Sequence, residues 1–475
     1  MIIGREKEVR LLTSLLSSEK CEFVAVYGRR RVGKTFLIDE TYKGHFAFSH
    51  TGSEPLDDSA LAVNKKQRQL NAFERSLLRY GAKKQRGRLK SWNEAFSRLE
   101  QLLNHTDPNR HHVVFIDEMP WMDTPKSGFL SAFSDFYNGY LCHLDNMILV
   151  VCGSASSWIS DKLIHGNKGL YRRITRKIRL SPFTLGECGK FLEYKNCHYS
   201  PYEVALSYMA LGGIPYYLDY FQAGFSAKQN IDFLLFGPDR ELEDEFEDLF
   251  TSQFSDPDTM KSIIELLSNR NLGYTANEIA SKLKLDANGA FFQKLKALER
   301  SDFLLSYVPF GKSKKEVHYK LIDPFCFFYL KRVKGNEEKK HHFATSPNSP
   351  IGFSFENLCF NHLDRIESKL SIGGIETEAT FYTVAGDEDK PGAQIDLIIK
   401  RKDGGLNLCE MKFYSKEYSC SEKSHLDLER KIASLSPYIK KKGGIYPVLI
   451  TSFGLNQGAY SSDYPFVITL SDLMA

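Results

Sequence analysis

The sequence of 475 residues lacks the marks of a membrane-spanning or disulfide-stabilised chain. No uninterrupted apolar run approaches the roughly 20 residues of a membrane span, and the first residues have no signal-peptide pattern. The nine cysteines are scattered without a C-x-x-C pair, which argues against a disulfide framework and against a cysteine metal site. Together these absences predict a cytoplasmic protein with reduced thiols and no membrane contact.

A strong charge of one sign is also lacking. Lys and Arg number 63 against 59 Asp and Glu, a formal net charge of +4. Any nucleic-acid site must therefore be local, because the global charge does not indicate one. No internal repeat is visible, and the length predicts about three domains.

What is present is a phosphate-loop pattern, G-x-x-x-x-G-K-[ST], at residues 28–35. An apolar run at 23–27 predicts a buried strand before it, and a helical pattern follows it. Glycines let successive N–H groups face phosphate oxygens, the lysine neutralises the β- and γ-phosphates, and the threonine hydroxyl holds Mg²⁺. The sequence therefore predicts ATP and Mg²⁺ binding by Gly28, Arg29, Arg30, Arg31, Val32, Gly33, Lys34, Thr35 and Phe36.

Polar residues follow two further apolar strands. Residues 113–116 lead into Asp117 and Glu118, which predicts a Mg²⁺ carboxylate and a residue that orients or deprotonates the attacking water. The strand at 147–152 leads to Ser154, either a γ-phosphate contact or an ordinary helix N-cap. Arg173 precedes an edge strand at 177–180, where an arginine can reach a phosphate from a neighbouring element or subunit. A surface pair of arginines fits the sequence equally well.

The segments I-G-R-E-K-E, G-R-R-R-V-G-K-T, V-V-F-I-D-E, C-G-S-A-S-S, L-Y-R-R-I and G-G-I-P-Y-Y-L, in this order, resemble the archaeal and bacterial P-loop ATPases of the AAA+/STAND group. The resemblance implies an α/β domain at 1–250 with a parallel sheet and a helical lid. It places Gly4, Arg5 and Glu6 near the nucleotide and makes Arg173, or its neighbour Arg172, a phosphate sensor. It makes Gly213 and Pro215 parts of a hinge.

Residues 251–335 are expected to form a winged helix-turn-helix, with three helices and a two-stranded wing. DNA would contact the third helix and the wing tip through Lys294, Lys296, Arg300, Lys312, Lys314 and Lys315. The alternative is an interdomain packing module whose lysines are only solvated. Phe291 and Phe292, on the same helix, are both expected to be buried.

A charged, proline-bearing joint at 334–350 precedes a third expected domain at 336–475. Two strands flank a turn at Asp403, and a hairpin centred there places Asp396 opposite Glu410, with Lys412 on the same face. Facing carboxylates repel unless a cation bridges them. We therefore expect Asp396 and Glu410 to bind Mg²⁺ and Lys412 to act on a scissile phosphate.

This D-x13-E-x-K pattern resembles the PD-(D/E)XK nucleases, and the resemblance implies a restriction-endonuclease-like α/β domain. Glu356 matches the helical acidic residue that assists the metal in that family. The expected function is an ATP-hydrolysing switch coupled to a DNA-binding winged helix and a Mg²⁺-dependent nuclease domain. Two alternatives stay open, a non-catalytic DNA-binding regulator and a chaperone-like switch with a protein partner; the sequence does not fix the oligomeric state.

Overall fold

The computed structural model describes residues 1–54, 65–154, 158–166, 169–170, 172–236, 240–254, 256–334, 350–384, 386, 392–439 and 443–475. Two compact units divide the chain, Met1–Ser181 and Pro182–Ala475. The expected boundaries near 250 and 335 both fall inside the second unit and remain predictions.

The first unit contains one parallel sheet in the order β2-β3-β4-β1-β5. Its strands are β1 Glu22–Tyr27, β2 Phe46–Thr51, β3 His112–Asp117, β4 Met147–Gly153 and β5 Arg176–Arg179. Its α-helices are Glu6–Ser14, Lys34–Thr41, Lys65–Arg79, Trp92–Leu103, Met119–Met122 and Phe129–Gly139, with shorter 3-10 turns at Leu15–Ser17 and Leu141–His143 and a π-helical turn at Ile159–Ile164.

Strands β1, β3 and β4 are buried almost throughout, as continuous apolar runs in a two-sided parallel sheet should be. The parallel sheet expected from the sequence is confirmed. Because β4 lies between β1 and β3, the carboxyl ends of these three strands meet at one edge. The polar residues that follow them are thereby brought together.

An aromatic cluster packs one face of this sheet. Trp92 and Phe96 come from the helix Trp92–Leu103, which Ser91 caps by accepting a hydrogen bond from the Glu94 N–H. Phe96 stacks on Phe136 with ring centroids 5.1 Å apart. These buried rings stabilise the sheet that carries the loop.

The described residues at the start of the second unit form the helices Leu185–Tyr194, Pro201–Leu211, Pro215–Leu218, Ala227–Leu235 and Glu245–Thr251. Gly212 and Gly213 follow the second helix with φ values of 74° and 64°. A Cβ at Gly213 would lie 2.4 Å from the Phe183 carbonyl oxygen, so this turn requires glycine. The hinge role expected of Gly213 and Pro215 remains a prediction.

The middle of this unit has the expected three helices, Pro257–Ser268, Ala276–Leu283 and Gly289–Arg300, with β6 Tyr274–Thr275, β7 Leu304–Tyr307 and β8 His318–Leu321. The strands pair antiparallel in the order β6-β8-β7. Thr275 and Glu278 form the expected capping box. One expectation is wrong: Phe291 is buried, but Phe292 is 44% exposed because it lies on the outward face of its helix.

The remainder contains a helix at Pro324–Phe328, a π-helical turn at Tyr329–Val333 and the helices Pro350–Phe360, Leu363–Lys369, Glu422–Leu435 and Leu470–Met474, with 3-10 turns at Ser436–Tyr438 and Ser461–Asp463. Its strands are β9 Thr377–Val384, β10 Ala393–Arg401, β11 Leu406–Lys412, β12 Ile445–Thr451 and β13 Phe466–Thr469. The sheet order is β13-β12-β11-β10-β9, antiparallel from β9 to β11 and parallel from β11 to β13.

The β10–β11 hairpin pairs Leu397 with Cys409, as a turn centred on Asp403 requires. The expected register is therefore confirmed. Residues 335–349 of the predicted joint lie outside the described residues. Across the described part of the chain, no helix is long and apolar enough to cross a membrane.

Candidate functional site

The loop between β1 and the helix Lys34–Thr41 has an unusual backbone. Gly28, Arg31 and Gly33 have φ values of 151°, 138° and 88°. A Cβ at Gly28 would lie 2.1 Å from the Leu180 carbonyl oxygen, so this position excludes every side chain. Left-handed conformations at spaced positions turn the loop back over the start of the helix, as a phosphate cradle requires.

Lys34 begins that helix and is 6% exposed. Its Nζ donates to the carbonyl oxygens of Gly28 at 3.0 Å and Arg29 at 2.7 Å. These bonds hold the ammonium within the loop, where phosphate oxygens would be stronger acceptors than neutral carbonyls.

The next residue links the loop to β3. The Thr35 hydroxyl donates to Asp117 Oδ2 at 2.7 Å, and Asp117 Oδ1 accepts from the Glu118 N–H at 2.9 Å. Asp117 is 4% exposed. A hydroxyl and a carboxylate in contact are hard oxygen donors of the kind that Mg²⁺ prefers. The residues present therefore fit a nucleotide with its magnesium ion, with Thr35 and Asp117 on the metal side and Lys34 on the phosphate side.

Glu118 adopts a left-handed backbone with φ of 43° at the end of β3. Its Oε2 accepts from the Ser154 N–H at 3.1 Å and from the Ser154 hydroxyl at 3.0 Å. The structure thus joins two residues that the sequence nominated separately. Ser154 orients the carboxylate of Glu118 in this structure, whichever of its two expected roles it has.

The other residues that the sequence predicts for the nucleotide site differ in burial and in contacts with the loop. Arg5 is 7% exposed and donates to the Ser181 carbonyl oxygen at 2.7 Å and to the Val32 carbonyl at 3.4 Å, so it braces the loop from the start of the chain. Gly4 precedes it with φ of 69°. Phe36 is 52% exposed on the first helical turn. Arg172 and Arg173 are both exposed, and which of them senses phosphate stays a prediction.

Sequence reasoning missed Asp39 on the helix that follows the loop. Burial, and then the charge of Asp117, raise the pKa of this carboxyl above its ordinary value. Its i+4 spacing from Thr35 was the signal available in the sequence.

A second group of charged residues lies in the second unit, at the β10–β11 hairpin. Glu410 is 3% exposed, and its two oxygens accept from two lysines, Oε2 from Lys412 at 3.1 Å and Oε1 from Lys431 at 2.5 Å. Lys431 also contacts Asp427 Oδ2 at 2.9 Å. The sequence nominated Glu410 and Lys412 and missed Lys431, which comes from the helix Glu422–Leu435.

Asp396 faces Glu410 across the hairpin and accepts a hydrogen bond from the Met411 N–H at 3.3 Å. Burial raises the pKa of Asp396 to about 7, with further increases from Glu410 and Glu356. The negative charges of Glu410 and Glu356 thus disfavour ionisation of Asp396.

Glu356 is engaged elsewhere as well. Its Oε2 accepts from Asn271 Nδ2 at 2.6 Å and lies 3.6 Å from Nζ of Lys320, which is 1% exposed. Burial raises the pKa of Glu356 and lowers that of Lys320. Over the residues that the structure describes, no group of three or more His, Cys, Asp or Glu is arranged to hold a metal ion. The metal role expected for Glu356, Asp396 and Glu410 remains a prediction.

A cavity of about 850 Å³ adjoins this cluster, and one face of the helix Glu422–Leu435 forms part of its wall. Its lining is charged and aromatic: Glu410, Lys412, Tyr414, Tyr418, Glu422, Lys423, Ser424, Leu426, Asp427, Arg430 and Tyr464. Acidic and basic side chains are equally numerous in this lining, so it is neither a basic trough nor an apolar patch.

Comparison with known proteins concerns mainly the N-terminal part of the chain. Residues 2–221 match the family described as an ATPase domain predominantly from Archaea. An uncharacterized protein of Methanocaldococcus jannaschii is 24% identical over 462 residues, which cover 93% of this chain and 94% of that protein. The N-terminal part of the chain is thus an ATPase domain of the archaeal P-loop type.

Solved structures give a weaker likeness. A Walker-type ATPase of Pyrococcus abyssi is 18% identical with a TM-score of 0.46, over 69% of this chain and 96% of its own. The ORC2 protein of Aeropyrum pernix, in ADPNP and ADP complexes, is 15% identical with a TM-score of 0.41, over 69% of this chain and 93% of its own. Both TM-scores are low, and neither structure carries a conclusion about this chain.

Proposed function

We propose that the protein is an ATP-hydrolysing switch whose nucleotide state controls a DNA-directed C-terminal part. The observation that carries the ATPase half is the contact between Thr35 and Asp117 beside the buried Lys34. The contact joins a hydroxyl and a carboxylate, and the preceding lysine supplies an ammonium in the loop; a Mg²⁺-nucleotide requires all three groups. Glu118, oriented by Ser154, is the base or water-orienting residue in this proposal.

Glu118→Gln tests the hydrolytic step. The amide keeps the size of the side chain and loses its basicity, so ATP should remain bound while phosphate release slows by about 100-fold or more. Phosphate release at the wild-type rate would remove Glu118 from the reaction. Glu187→Gln, which alters a helix-capping carboxylate of the second unit, is the matched control.

For the C-terminal part we propose a Mg²⁺-dependent nuclease centre formed by Asp396, Glu410 and Lys412. The facing carboxylates and the adjacent lysine support it. DNA would be held by the exposed wing-tip lysines Lys312, Lys314 and Lys315 and by Lys296. Lys294 is less available, because it is paired with Asp256.

Cleavage of single- and double-stranded DNA, with and without ATP and Mg²⁺, tests this half. Asp396→Ala should end cleavage and weaken Mn²⁺ or Mg²⁺ binding. Lys412→Ala should end cleavage with metal binding largely kept, because an ammonium is no ligand for a hard cation. ATP hydrolysis without DNA should survive both changes.

A second candidate function is a DNA-binding regulator without nuclease activity. The pairing of both Glu410 oxygens with lysines favours it, since these ammonium groups already neutralise the carboxylate. Absence of cleavage by the wild type, together with ATP-dependent DNA binding, would select this function. Binding to protein but not to DNA would select the chaperone-like alternative.

We also propose a cytoplasmic location. A homo-oligomer is compatible with the exposed Arg173, which could reach a phosphate in a neighbouring subunit.

A further inference from the structure

Lys431 is the residue of the C-terminal cluster that neither the proposed reaction nor the sequence motif uses. It comes from the helix Glu422–Leu435 rather than from the hairpin, and it is 7% exposed. A lysine this deeply buried is uncommon unless its charge is paired. Its surroundings therefore need an explanation.

Two carboxylates hold the ammonium. Nζ lies 2.5 Å from Glu410 Oε1 and 2.9 Å from Asp427 Oδ2. The ammonium is thus fixed between two carboxylates, on the Glu410 oxygen that a metal ion would need.

The other oxygen of Glu410 is held by Lys412 at 3.1 Å. A divalent cation between Asp396 and Glu410 must therefore compete with at least one ammonium. Lys412 belongs to the motif itself, whereas Lys431 can give up Glu410 and still keep Asp427. The cavity of about 850 Å³ is bordered by both Glu410 and Asp427, so space for this rearrangement adjoins the pair.

We propose that Lys431 occupies the cation position of the C-terminal centre, so that a divalent metal ion binds Glu410 only by exchange with this ammonium. The inference deepens the proposed nuclease function and rests on the same carboxylates. In this proposal, a movement of the helix Glu422–Leu435 away from β11 would withdraw Lys431 from Glu410 and raise the affinity of the carboxylates for a metal ion.

Lys431→Met and Lys431→Gln test the exchange in nucleotide-free protein, with Mn²⁺ binding followed by calorimetry. Both substitutions remove the competing cation, and the glutamine keeps a hydrogen-bond donor for Glu410. We expect the Kd for Mn²⁺ to fall by about tenfold or more in both variants, since the lost ammonium is in direct contact with the ligand oxygen. Circular dichroism establishes that each variant is folded.

Lys423→Met is the matched control, because Lys423 lies on the same helix and lines the cavity without an ion pair to any described residue. It should leave the Kd for Mn²⁺ unchanged. Adding Glu410→Gln to Lys431→Met should abolish the gain, which places the metal on Glu410. Unchanged or weaker Mn²⁺ binding in both Lys431 variants would overturn the inference.

The outcome is separable from the nuclease proposal. If the Lys431 variants bind Mn²⁺ more tightly and neither they nor the wild type cut DNA, the exchange stands and the nuclease function falls. If the wild type cuts DNA but the Lys431 variants gain no affinity for Mn²⁺, the nuclease function stands and the exchange falls.

Discussion

The phosphate loop and the C-terminal cluster both combine lysine and acidic side chains beside a sheet, but different forces hold them. In the loop, Lys34 is held by two neutral backbone carbonyls and Asp117 by a hydroxyl. In the cluster, Glu410 is held by two lysines. Backbone geometry determines the arrangement of the phosphate loop, whereas ion pairs determine that of the C-terminal cluster. Substitutions and changes of pH should therefore affect the two sites differently.

Gly28→Ala should show the largest effect, because the loop depends on backbone geometry. The new Cβ would lie 2.1 Å from the Leu180 carbonyl oxygen at a φ of 151°. We expect a loss of about 4 kcal/mol in stability together with loss of ATP binding. Gly87→Ala, at φ of 90° with no atom within 4 Å, is the control that adds strain without a collision. Equal urea midpoints for the two variants would contradict the backbone account.

Glu356→Leu tests the buried ion pair between Glu356 and Lys320. It leaves Lys320 buried without its carboxylate and should cost about 3 kcal/mol. The double variant Glu356→Leu/Lys320→Met should recover part of this loss, because it removes both charges. Glu376→Gln breaks an exposed pair with Lys402 and should change little. Urea unfolding of the wild type, Glu356→Leu, Lys320→Met, the double variant and Glu376→Gln gives the comparison, and a loss in the double variant equal to the sum of the two single losses would argue against a charge pair.

The pH dependence of stability should follow Asp396 in the cluster. Its pKa is raised from 3.8 to about 7 by burial and by Glu410 and Glu356, with Lys412 and Lys431 opposing the shift. In that interval the folded state binds the extra proton, so stability decreases as pH rises from about 4 towards 7. Between about pH 5 and 7 Asp396→Asn should remove about 2 kcal/mol of this decrease. Parallel stability curves for variant and wild type would exclude the effect.

Thr275→Ala lies outside both sites and should have the smallest effect. It removes one half of a capping box and should cost about 1 kcal/mol. The change should leave the affinity for ATP and the pH dependence of unfolding as in the wild type. A larger loss would mean that the middle segment supports one of the two sites.

The features that could be predicted from sequence are those with local signals. The loop glycines, the capping box at Thr275 and the hairpin register all follow from short-range spacing, and the structure shows them. The contact of Thr35 with Asp117 followed from parallel-sheet topology, which brings strand ends to one edge.

The features that could not be predicted depend on distant packing. Lys431 reaches Glu410 from a helix 21 positions along the chain, and Lys320 reaches Glu356 from a strand of the middle segment. The sequence around each of these lysines has no pattern that distinguishes a buried, paired lysine from an exposed one. The expected burial of Phe292 was wrong for the same reason, because burial depends on which face of the helix is covered by other parts of the chain.

The proposed switch depends on ATP binding by the phosphate loop of the first unit. Calorimetric titration of Mg²⁺-ATP into the wild type and Lys34→Ala measures this binding, with Lys43→Ala, on an exposed turn nearby, as the control. We expect one ATP site in the wild type and in Lys43→Ala, and none in Lys34→Ala, because the loop loses the side chain that neutralises phosphate charge. Equal ATP affinity in all three proteins would show that the phosphate loop does not bind ATP.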